Sequence, residues 1–238
     1  MGYLIFRNAS TANLLDPADN QPKVYVSKMP SHMKAAMRNT EYYIKGRDGA
    51  LHVDEGYENF DIEVVLILLN ASAATRLVVN AWADGTGKLI SSDDLTKAYN
   101  ASVKEEVQWE RVQANQGFYD TATITFSCQP FMVEAVDSQT TLTESGALLN
   151  PGSAVSYPMI EVNGSGDASF AVNGNEIEID DMTAGTPVYI DCETGYVYTQ
   201  AGATSIRGEI PYFEMGTNTI TLGDGVSSLV ITPRWRWI

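Results

Sequence analysis

The chain has 238 residues, of which 44% are hydrophobic and 19% are charged, and this composition is typical of a folded globular protein. The length allows one large β core or two smaller ones. The formal net charge of −15 argues against general binding of nucleic acid or of an anionic membrane, because both require clustered Lys and Arg.

The N-terminus predicts a protein that is not exported. Only Leu4-Ile5-Phe6 precedes Arg7, which is far short of the apolar stretch of a signal peptide. The longest aliphatic run, residues 64–69, is too short to span a bilayer and is typical of a buried strand. We therefore expect a soluble protein without a signal peptide that is synthesised in the cytoplasm and does not enter membranes.

The first elements predicted along the chain are strands, at residues 3–7, 24–28 and 60–69. Before the third of them, Gly46-Arg47-Asp48-Gly49 predicts a tight turn, with the glycines at positive φ and Asp48 bonded to the local backbone. In the alternative interpretation, Arg47 reaches a carboxylate of a neighbouring subunit. Arg47 and Asp48 are therefore candidate residues of a subunit interface.

One helix is predicted at residues 71–83, with Asn70 as its N-cap and with Arg76 and Asn80 turned away from the core. The residues expected on its apolar face are Ala73, Leu77, Ala81 and Trp82. The helix is expected to end before Gly85. Residues 84–88 resemble a phosphate-binding loop only superficially, because they lack its glycine spacing and the Ser or Thr after Lys88, so we interpret them as the turn that ends the helix.

A shorter helical turn is predicted at residues 93–99, capped by Ser92 or Asp93. Strands follow at residues 103–112 and 121–128. In the second of these, even positions are apolar or small and odd positions carry a hydroxyl, which predicts a strand with one wet face.

The composition changes after Pro130-Phe131, where residues 137–156 are rich in Ser, Thr, Gly and Asn. We interpret this segment as an inter-domain connection plus an edge segment, with the boundary near Val136. The sequence therefore predicts two domains, residues 1–136 and 137–238.

The second domain is predicted to be a β-sandwich of successive hairpins, with tight turns at Asn173-Gly174 and Glu193-Thr194-Gly195. Its predicted strands are residues 155–162, 168–172, 176–179, 188–192, 196–198 and 229–231.

Candidate catalytic and metal-binding residues are few. His32 and His52 lie near acids such as Asp48, but we interpret both as surface or loop histidines. Cys128 and Cys192 have neither a disulfide framework nor a metal-ligand spacing, and we interpret them as buried free thiols. We expect no enzymatic activity, no metal and no cofactor.

Three segments of the first half, taken in order, carry a resemblance. They are Gly46-Arg47-Asp48-Gly49 with Tyr57 and residues 60–69, the predicted helix ending in Trp82 with Gly87-Lys88-Leu89, and residues 123–131. Together they resemble the N-terminal ring domain of the distal tail protein (Dit) family of long-tailed, siphovirus-type phages and prophages of Gram-positive bacteria.

The second half resembles the C-terminal galectin-like β-sandwich of the same family. The segments that carry this resemblance are Tyr157-Pro158, Gly164-Ser165-Gly166, Val172-Asn173-Gly174, Val188-Tyr189-Ile190-Asp191, Gly208-Glu209-Ile210-Pro211 and Pro233-Arg234-Trp235-Arg236-Trp237. The resemblance covers nearly the whole chain, although residues 8–30 match nothing in it.

The resemblance implies a mainly β protein, with a β-sandwich ring domain that carries one helix and a galectin-like sandwich. It implies a hexameric ring in the phage tail tip, within the virion. Such a ring joins the tail tube protein to the tail-associated hub protein and, in some members, to receptor-binding proteins. DNA passes through the pore without specific binding. Six chains would carry a formal charge of −90, six times the −15 of one chain, so the interfaces must be sizeable.

Two further interpretations concern the second domain. The alternative function is a carbohydrate-binding adhesion module, in which Tyr189, Tyr196, Tyr198 and Tyr212 supply an aromatic platform. At the C-terminus, Trp235 and Trp237 lie two residues apart, so in an extended strand both indoles face one way. They are predicted to complete a core, and the alternative is an exposed pair that binds a partner protein.

Overall fold

A computed structural model describes residues 4–8, 24–27, 33–69, 71–114 and 117–238. The chain divides into two compact units, the first ending at Ala135 and also containing Ile238, and the second being Val136–Trp237. Antiparallel strands dominate both units, and the described residues form one helix. The predicted fold class, mainly β with a single helix in the first half, is confirmed.

The main sheet of the first unit has a central strand that is the last one in sequence. The strands are β1 (Leu4–Asn8), β2 (Val24–Val26), β3 (Met37–Tyr42), β4 (Leu51–Tyr57), β5 (Phe60–Leu69), β6 (Thr86–Ser91), β7 (Asp94–Val103), β8 (Gln108–Ala114) and β9 (Gly117–Glu134). The sheet has the order β1-β6-β7-β9-β5-β2, and β8 pairs with the first part of β9. Strands β3 and β4 form a separate hairpin.

The larger core of the first unit lies on one face of this sheet, under the helix, and a smaller buried cluster of Ile5, Ile90, Ala98 and Ala135 lies on the other face. Along β9 the even positions from Ala122 to Cys128 are buried and the hydroxyl-bearing positions between them are half-buried, as predicted. Phe6, Trp82 and Phe126 meet edge to face at centroid distances of 5.0–6.1 Å. Such aromatic contacts add to the stabilisation that comes from burial alone.

Helix α1 (Ala73–Trp82) begins at Ser72, whose Oγ accepts a hydrogen bond from the backbone N–H of Thr75. The predicted cap, Asn70, lies outside the described residues. Of the predicted apolar face, Trp82 is buried as expected, but Ala73, Leu77 and Ala81 are exposed, and Val79 is buried instead. Apolar side chains occur on more than one side of this alanine-rich helix, so burial of the large Trp82 decides which side faces the core.

The helical turn predicted at residues 93–99 is also wrong, because these residues belong to the β6–β7 hairpin. The N–H of Asp93 donates to Ser91 Oγ at 3.2 Å. Residues 91–93, which include both predicted caps, therefore form the turn of the hairpin and not the start of a helix. Tyr99 pairs with Leu89 on one side and with Met132 on the other. Pairing on both sides outweighs local helix propensity. The strand predicted at residues 103–112 is divided between β7 and β8.

The second unit is a sandwich of two sheets, as predicted, and its core lies between them. The orders are β10-β19-β12-β15-β16-β17 and β11-β18-β13-β14. The strands are β10 (Thr140–Leu142), β11 (Gly146–Asn150), β12 (Met159–Gly164), β13 (Gly166–Val172), β14 (Asn175–Met182), β15 (Val188–Asp191), β16 (Tyr196–Thr199), β17 (Gly202–Ala203), β18 (Gly216–Leu222) and β19 (Val226–Thr232). The short strand β20 (Arg236–Trp237) follows β19 along the chain and belongs to neither of these two sheets.

Two details of the sandwich bear on the sequence-based predictions. Asn173 and Gly174 have φ angles of 52° and 84°, which makes the predicted tight turn between β13 and β14. The segment predicted as a connection plus an edge contains β10 and β11, each of which is the edge strand of its own sheet.

Candidate interaction surfaces

The β3–β4 hairpin of the first unit has one apolar and one polar face. Residues that lie directly opposite each other share a face. Tyr42 pairs with Leu51, and Val53 pairs with Thr40. Thr40 Oγ1 donates to Glu55 Oε1 at 2.5 Å at the edge of this face, which is otherwise apolar and which we call the apolar face. The polar face contains the pairs Glu41–His52 and Asn39–Asp54.

The apolar face of this hairpin is exposed to solvent. Tyr42, Leu51 and Val53 are 53%, 41% and 43% exposed, and Ile44 is exposed nearer the tip. Tyr43 is not part of this face, because its hydroxyl donates to Glu41 Oε2 at 2.7 Å on the polar side. Isolated two-stranded hairpins are marginally stable in water, and contiguous exposed apolar surface marks interaction sites. This face is therefore the strongest candidate contact surface of the first unit. The alternation in Leu51-His52-Val53-Asp54 was the signal in the sequence that could have identified it.

The predicted interface residues Arg47 and Asp48 lie in the loop at the tip of the hairpin. Gly46 and Gly49 have φ angles of 85° and 77°, as the turn prediction requires. The N–H of Arg47 donates to the carbonyl of Ile44 at 3.1 Å. The predicted bond from Asp48 to the local backbone is not formed among the described residues, and both side chains are exposed. Their role in a subunit interface stays a prediction.

Helix α1 presents a second uncharged surface on the first unit. Its exposed residues are Ala73, Ala74, Leu77, Val78, Asn80 and Ala81. An exposed helix face usually carries charged residues. The outer face of α1 therefore also has the composition of a contact surface.

A carboxylate with two arginine partners fixes α1 to the sheet. Asp120, on β9, is 1% exposed; Arg76 Nε and Nη2 donate to its Oδ2 at 3.0 and 2.8 Å, and Arg111 Nε donates to its Oδ1 at 2.8 Å. The hydrogen bonds from Arg111, and then those from Arg76, lower the pKa of Asp120 and outweigh the burial that would raise it. The guanidinium of Arg111 also lies over the Phe118 ring at 4.1 Å. No pattern in the sequence indicates this cluster, because its members are 9 and 44 residues apart along the chain.

The described residues do not form a catalytic or metal-binding arrangement of the kinds considered from the sequence. His52 Nδ1 lies 3.5 Å from Glu41 Oε1 on the exposed polar face of the hairpin, and His32 lies outside the described residues. Burial raises the pKa of both Cys128 and Cys192 to about 12, so neither thiol is a ready nucleophile. No group of three or more His, Cys, Asp or Glu in the described ranges is placed to hold a metal ion. The helix of the described residues, α1, is not long and apolar enough to cross a lipid bilayer.

The C-terminal tryptophans of the second unit differ in burial. Trp235 is buried against Phe213, with their ring centroids 5.5 Å apart. Trp237 is half-buried against the same core, and its Nε1 donates to the carbonyl of Pro151 at 3.2 Å. Arg234, between strands β19 and β20, has a φ angle of 55°, so the segment is not the regular extended strand assumed from the sequence. Binding of a partner by these residues stays a prediction.

Three tyrosines on the outer face of the six-stranded sheet form a stacked row, which we call the tyrosine strip: Tyr189, Tyr198 and Tyr196. Tyr189 and Tyr198 lie opposite each other on β15 and β16, with centroids 5.2 Å apart and an interplanar angle of 20°. Tyr198 and Tyr196 stack in the same way at 5.3 Å. Tyr212, the fourth tyrosine of the predicted platform, is exposed but lies outside these strands.

These observations define a class of protein: a mostly antiparallel β chain whose first unit carries one helix and an exposed hairpin, and whose second unit is a two-sheet sandwich. The sequence matches neither a protein-family model nor a curated protein. Among solved structures, the chain is similar to the Dit protein (gp 19.1) of phage SPP1, a paradigm of the hub adsorption apparatus in phages that infect Gram-positive bacteria. The TM-score is 0.71, the match covers 100% of both chains, and the sequence identity is 15%. The predicted resemblance to the distal tail protein is thus confirmed at the level of the fold.

Proposed function

We propose that this chain is a ring-forming structural subunit of a phage tail tip, with no catalytic role. The observation that carries the proposal is the fold shared with SPP1 Dit over the full length of both chains. In this proposal the ring is hexameric and joins the tail tube protein to the tail-associated hub protein and to receptor-binding proteins. Residues 1–136 form the ring, and residues 137–238 carry the adhesion partners.

The surfaces of the first unit support self-association as the role of residues 1–136. The hairpin and α1 each expose uncharged surface in a chain whose net charge is −15. A contact between two different patches repeats from copy to copy, and it closes into a ring when the rotation allows. We propose that the apolar face of the β3–β4 hairpin is covered by the neighbouring copy. In this arrangement Arg47 and Asp48, at the tip, also contact that copy.

The test is native mass spectrometry of the full chain and of two charge-matched double variants. Leu51→Asp with Val53→Asp adds two negative charges to the apolar face of the hairpin. Asn39→Asp with His52→Asp adds two acidic side chains at exposed positions of its polar face, opposite Asp54 and Glu41, so this control strains the hairpin at least as much as the apolar-face variant does. We expect closed rings of six copies for the parent and for the polar-face variant, and monomers for the apolar-face variant.

Circular dichroism establishes that each variant is folded. A parent chain that stays monomeric at high concentration, both alone and with the tail tube and hub proteins, would contradict ring formation. If the two double variants assemble equally well, ring formation is still supported, but the apolar face of the hairpin is not part of the interface.

A further inference from the structure

The exposed large hydrophobic side chains of the second unit are concentrated in one place. Six such residues occur in residues 136–237, all of which the structure describes, and four of the six lie around the end of β11. These four, which we call the edge patch, are Leu149, Tyr157, Tyr212 and Met215, with exposed fractions of 67%, 38%, 47% and 62%. Tyrosine and methionine are enriched in protein–protein interfaces, so the edge patch has the composition of a contact surface.

Hydrogen bonds join the two chain segments that carry the edge patch. Ser156 and Phe213 exchange two backbone bonds of 3.0 and 2.9 Å, and each tyrosine of the patch lies one residue from this pair. Asn150 and Gly216 pair in the register of β11 and β18, and the leucine and the methionine each lie one residue from that pair. The four side chains therefore cluster around two neighbouring backbone pairs.

Two buried amides hold this region in place. Asn218 Oδ1 accepts from the N–H of Glu214 at 2.8 Å, and Asn218 Nδ2 donates to the carbonyls of Glu214 and Gly216 at 2.9 and 3.0 Å. Asn150 Nδ2 donates to the same Glu214 carbonyl at 3.1 Å. The loop that carries Met215 is thus already ordered, so little conformational entropy is lost when a partner binds there.

Beside the edge patch, β11 has an open backbone edge. The carbonyl of Thr219, on β18, accepts a backbone hydrogen bond from the β13 side, and the N–H of Leu222 donates to Ser145 Oγ on the β11 side. Odd-numbered residues of β18 therefore bond to β13, and even-numbered residues bond to β11. Because bonding alternates along an antiparallel pair, Ala147 and Leu149 direct their backbone N–H and C=O groups away from β18.

Of the four edge strands of the sandwich, all of them described, only β11 is unprotected. Strands β10 and β17 have only three and two residues, and β14 carries the exposed acids Glu176, Glu178 and Asp180. By contrast, β11 has five residues without a charge, a proline or a register shift. Proteins normally shorten, charge or bend an open edge, because such an edge pairs with other chains. An edge that lacks these protections, beside exposed apolar side chains, indicates a partner strand.

The charge of the second unit determines which partner fits. Residues 136–237 contain 13 acidic residues against three arginines and no lysine, a formal charge of −10. Glu144, just before β11, and Glu214, beside Met215, are both exposed and add negative charge next to the edge. Two copies of this unit repel each other when they meet at this edge, whereas a basic segment is attracted. The occupant that fits is therefore a basic segment of another protein.

We propose that β11 binds an extended basic segment of another protein, which joins the four-stranded sheet as a fifth strand and packs its apolar side chains on the edge patch. Backbone bonds to Ala147 and Leu149 hold the segment, and the edge patch selects apolar residues at alternate positions. This proposal rests on the proposed function, in which residues 137–238 carry adhesion partners, and it identifies the surface and the chemistry of the segment bound there.

The test is the binding of synthetic peptides to the full chain, measured by calorimetry. Each peptide has about ten residues, in which valine or leucine alternates with threonine, which is long enough to cover β11. One set is flanked by lysines and a second by glutamates. A third set repeats the lysine-flanked peptides with N-methyl groups on all amides of the alternating stretch, which removes the donors that strand pairing needs. We expect the lysine-flanked, unmethylated set to bind at least about tenfold more tightly than either other set.

Two substitutions block the edge in different ways. Ala147→Pro removes an outward N–H and obstructs an added strand, and proline is tolerated where the N–H of an edge strand faces solvent. Leu149→Lys removes apolar surface and repels a basic segment. Tyr196→Lys is the matched control, because Tyr196 is 52% exposed on the other sheet. We expect each β11 variant to weaken binding of the lysine-flanked peptides at least about tenfold, and the control to change it less than about threefold.

Several outcomes would overturn the proposal. These are the absence of binding by any peptide, equal binding of the glutamate-flanked or N-methylated peptides, and parent-like affinity of either β11 variant. Self-association of the parent that Leu149→Lys abolishes would show that a second copy covers the edge instead. Thermal melting establishes that each variant is folded, and the comparison among peptides requires only the parent chain.

Ring formation is measured separately by native mass spectrometry. Both β11 variants should assemble as the parent does, and the apolar-face variant of the hairpin should bind the lysine-flanked peptides like the parent. Intact rings that bind no peptide would contradict the role of β11 alone. A monomeric parent that binds the peptides would contradict ring formation alone.

Discussion

Asp120 is a single residue on which the position of a helix depends. Its carboxylate is almost fully buried and accepts hydrogen bonds from Arg76 on α1 and from Arg111 on β8. Removing the charge leaves two guanidinium groups facing an amide, and each loses charge-assisted hydrogen bonds. Because Arg111 is half exposed, the cost is below that of breaking a fully buried pair.

We therefore predict that Asp120→Asn lowers the free energy of unfolding of the first unit by about 2–3 kcal/mol at neutral pH, measured by urea denaturation. The matched control is Asp61→Asn. It breaks the exposed Lys104–Asp61 pair, whose atoms are 2.5 Å apart, and should cost less than about 1 kcal/mol. The pKa of Asp120 is lower in the folded state, so its contribution is complete above the ordinary pKa of Asp, near 4, and is lost as the pH falls through the lowered value. If the free energies of unfolding of the parent and of Asp120→Asn differ in acid as much as they do at neutral pH, this account is contradicted.

The sequence was informative about residues whose role is local and uninformative about residues whose role is tertiary. Trp235 was predicted to complete a core, and it is buried against Phe213. The partners of Asp120 are 9 and 44 residues away from it, and no periodicity connects such positions. Pairing of this kind becomes visible only once the sheet and the helix are placed.

At the scale of elements, turns with a backbone requirement were the most predictable features. Asn173-Gly174 needs positive φ at both positions, and few residue types supply it. The β3–β4 hairpin was missed because its loop, residues 43–50, is long and its strands are exposed on both faces. The orientation of α1 was mispredicted because its apolar residues occur on more than one side of the helix, so the sequence pattern did not define a single apolar face.

The turn provides a prediction at this scale. Gly174→Ala should lower the free energy of unfolding of the second unit by about 1–2 kcal/mol, because alanine is strained at a φ of 84°. No atom lies within 4 Å of the added Cβ, so steric overlap does not contribute. The control is Gly146→Ala, which is at an ordinary φ with Leu142 at 3.9 Å and should change stability by less than about 0.5 kcal/mol. Equal effects of the two substitutions in thermal melting would refute the strain argument.

At the scale of the whole chain, a short exposed segment connects the two compact units. Strand β9 ends at Glu134 and β10 begins at Thr140, with Val136 between them 71% exposed. The edge strands β10 and β11 are hydrogen-bonded to neighbouring strands of the sandwich, which protects the rest of the segment that the sequence suggested as a linker.

We therefore predict that limited digestion with a protease of broad specificity cleaves first within residues 136–139. Mass spectrometry should find two resistant fragments, each with the cooperative melting transition of a folded domain. Under the proposed function, the N-terminal fragment alone retains assembly. First cleavage inside β10 or β11, or a C-terminal fragment without a transition, would contradict the division.

The position of β9 in the sheet has a consequence for how the chain is made. This 18-residue strand is the last of its unit in sequence, yet it lies between β5 and β7. On the ribosome, β5 and β7 emerge before the strand that both of them pair with, and at roughly 5–20 residues per second they wait with open edges. Open edges of apolar strands invite pairing with other nascent chains. Ribosomes on one messenger RNA therefore hold several nascent chains close together while each of them still lacks β9. The edges of β5 and β7 that pair with β9 stay unpaired until residue 134 has left the exit tunnel.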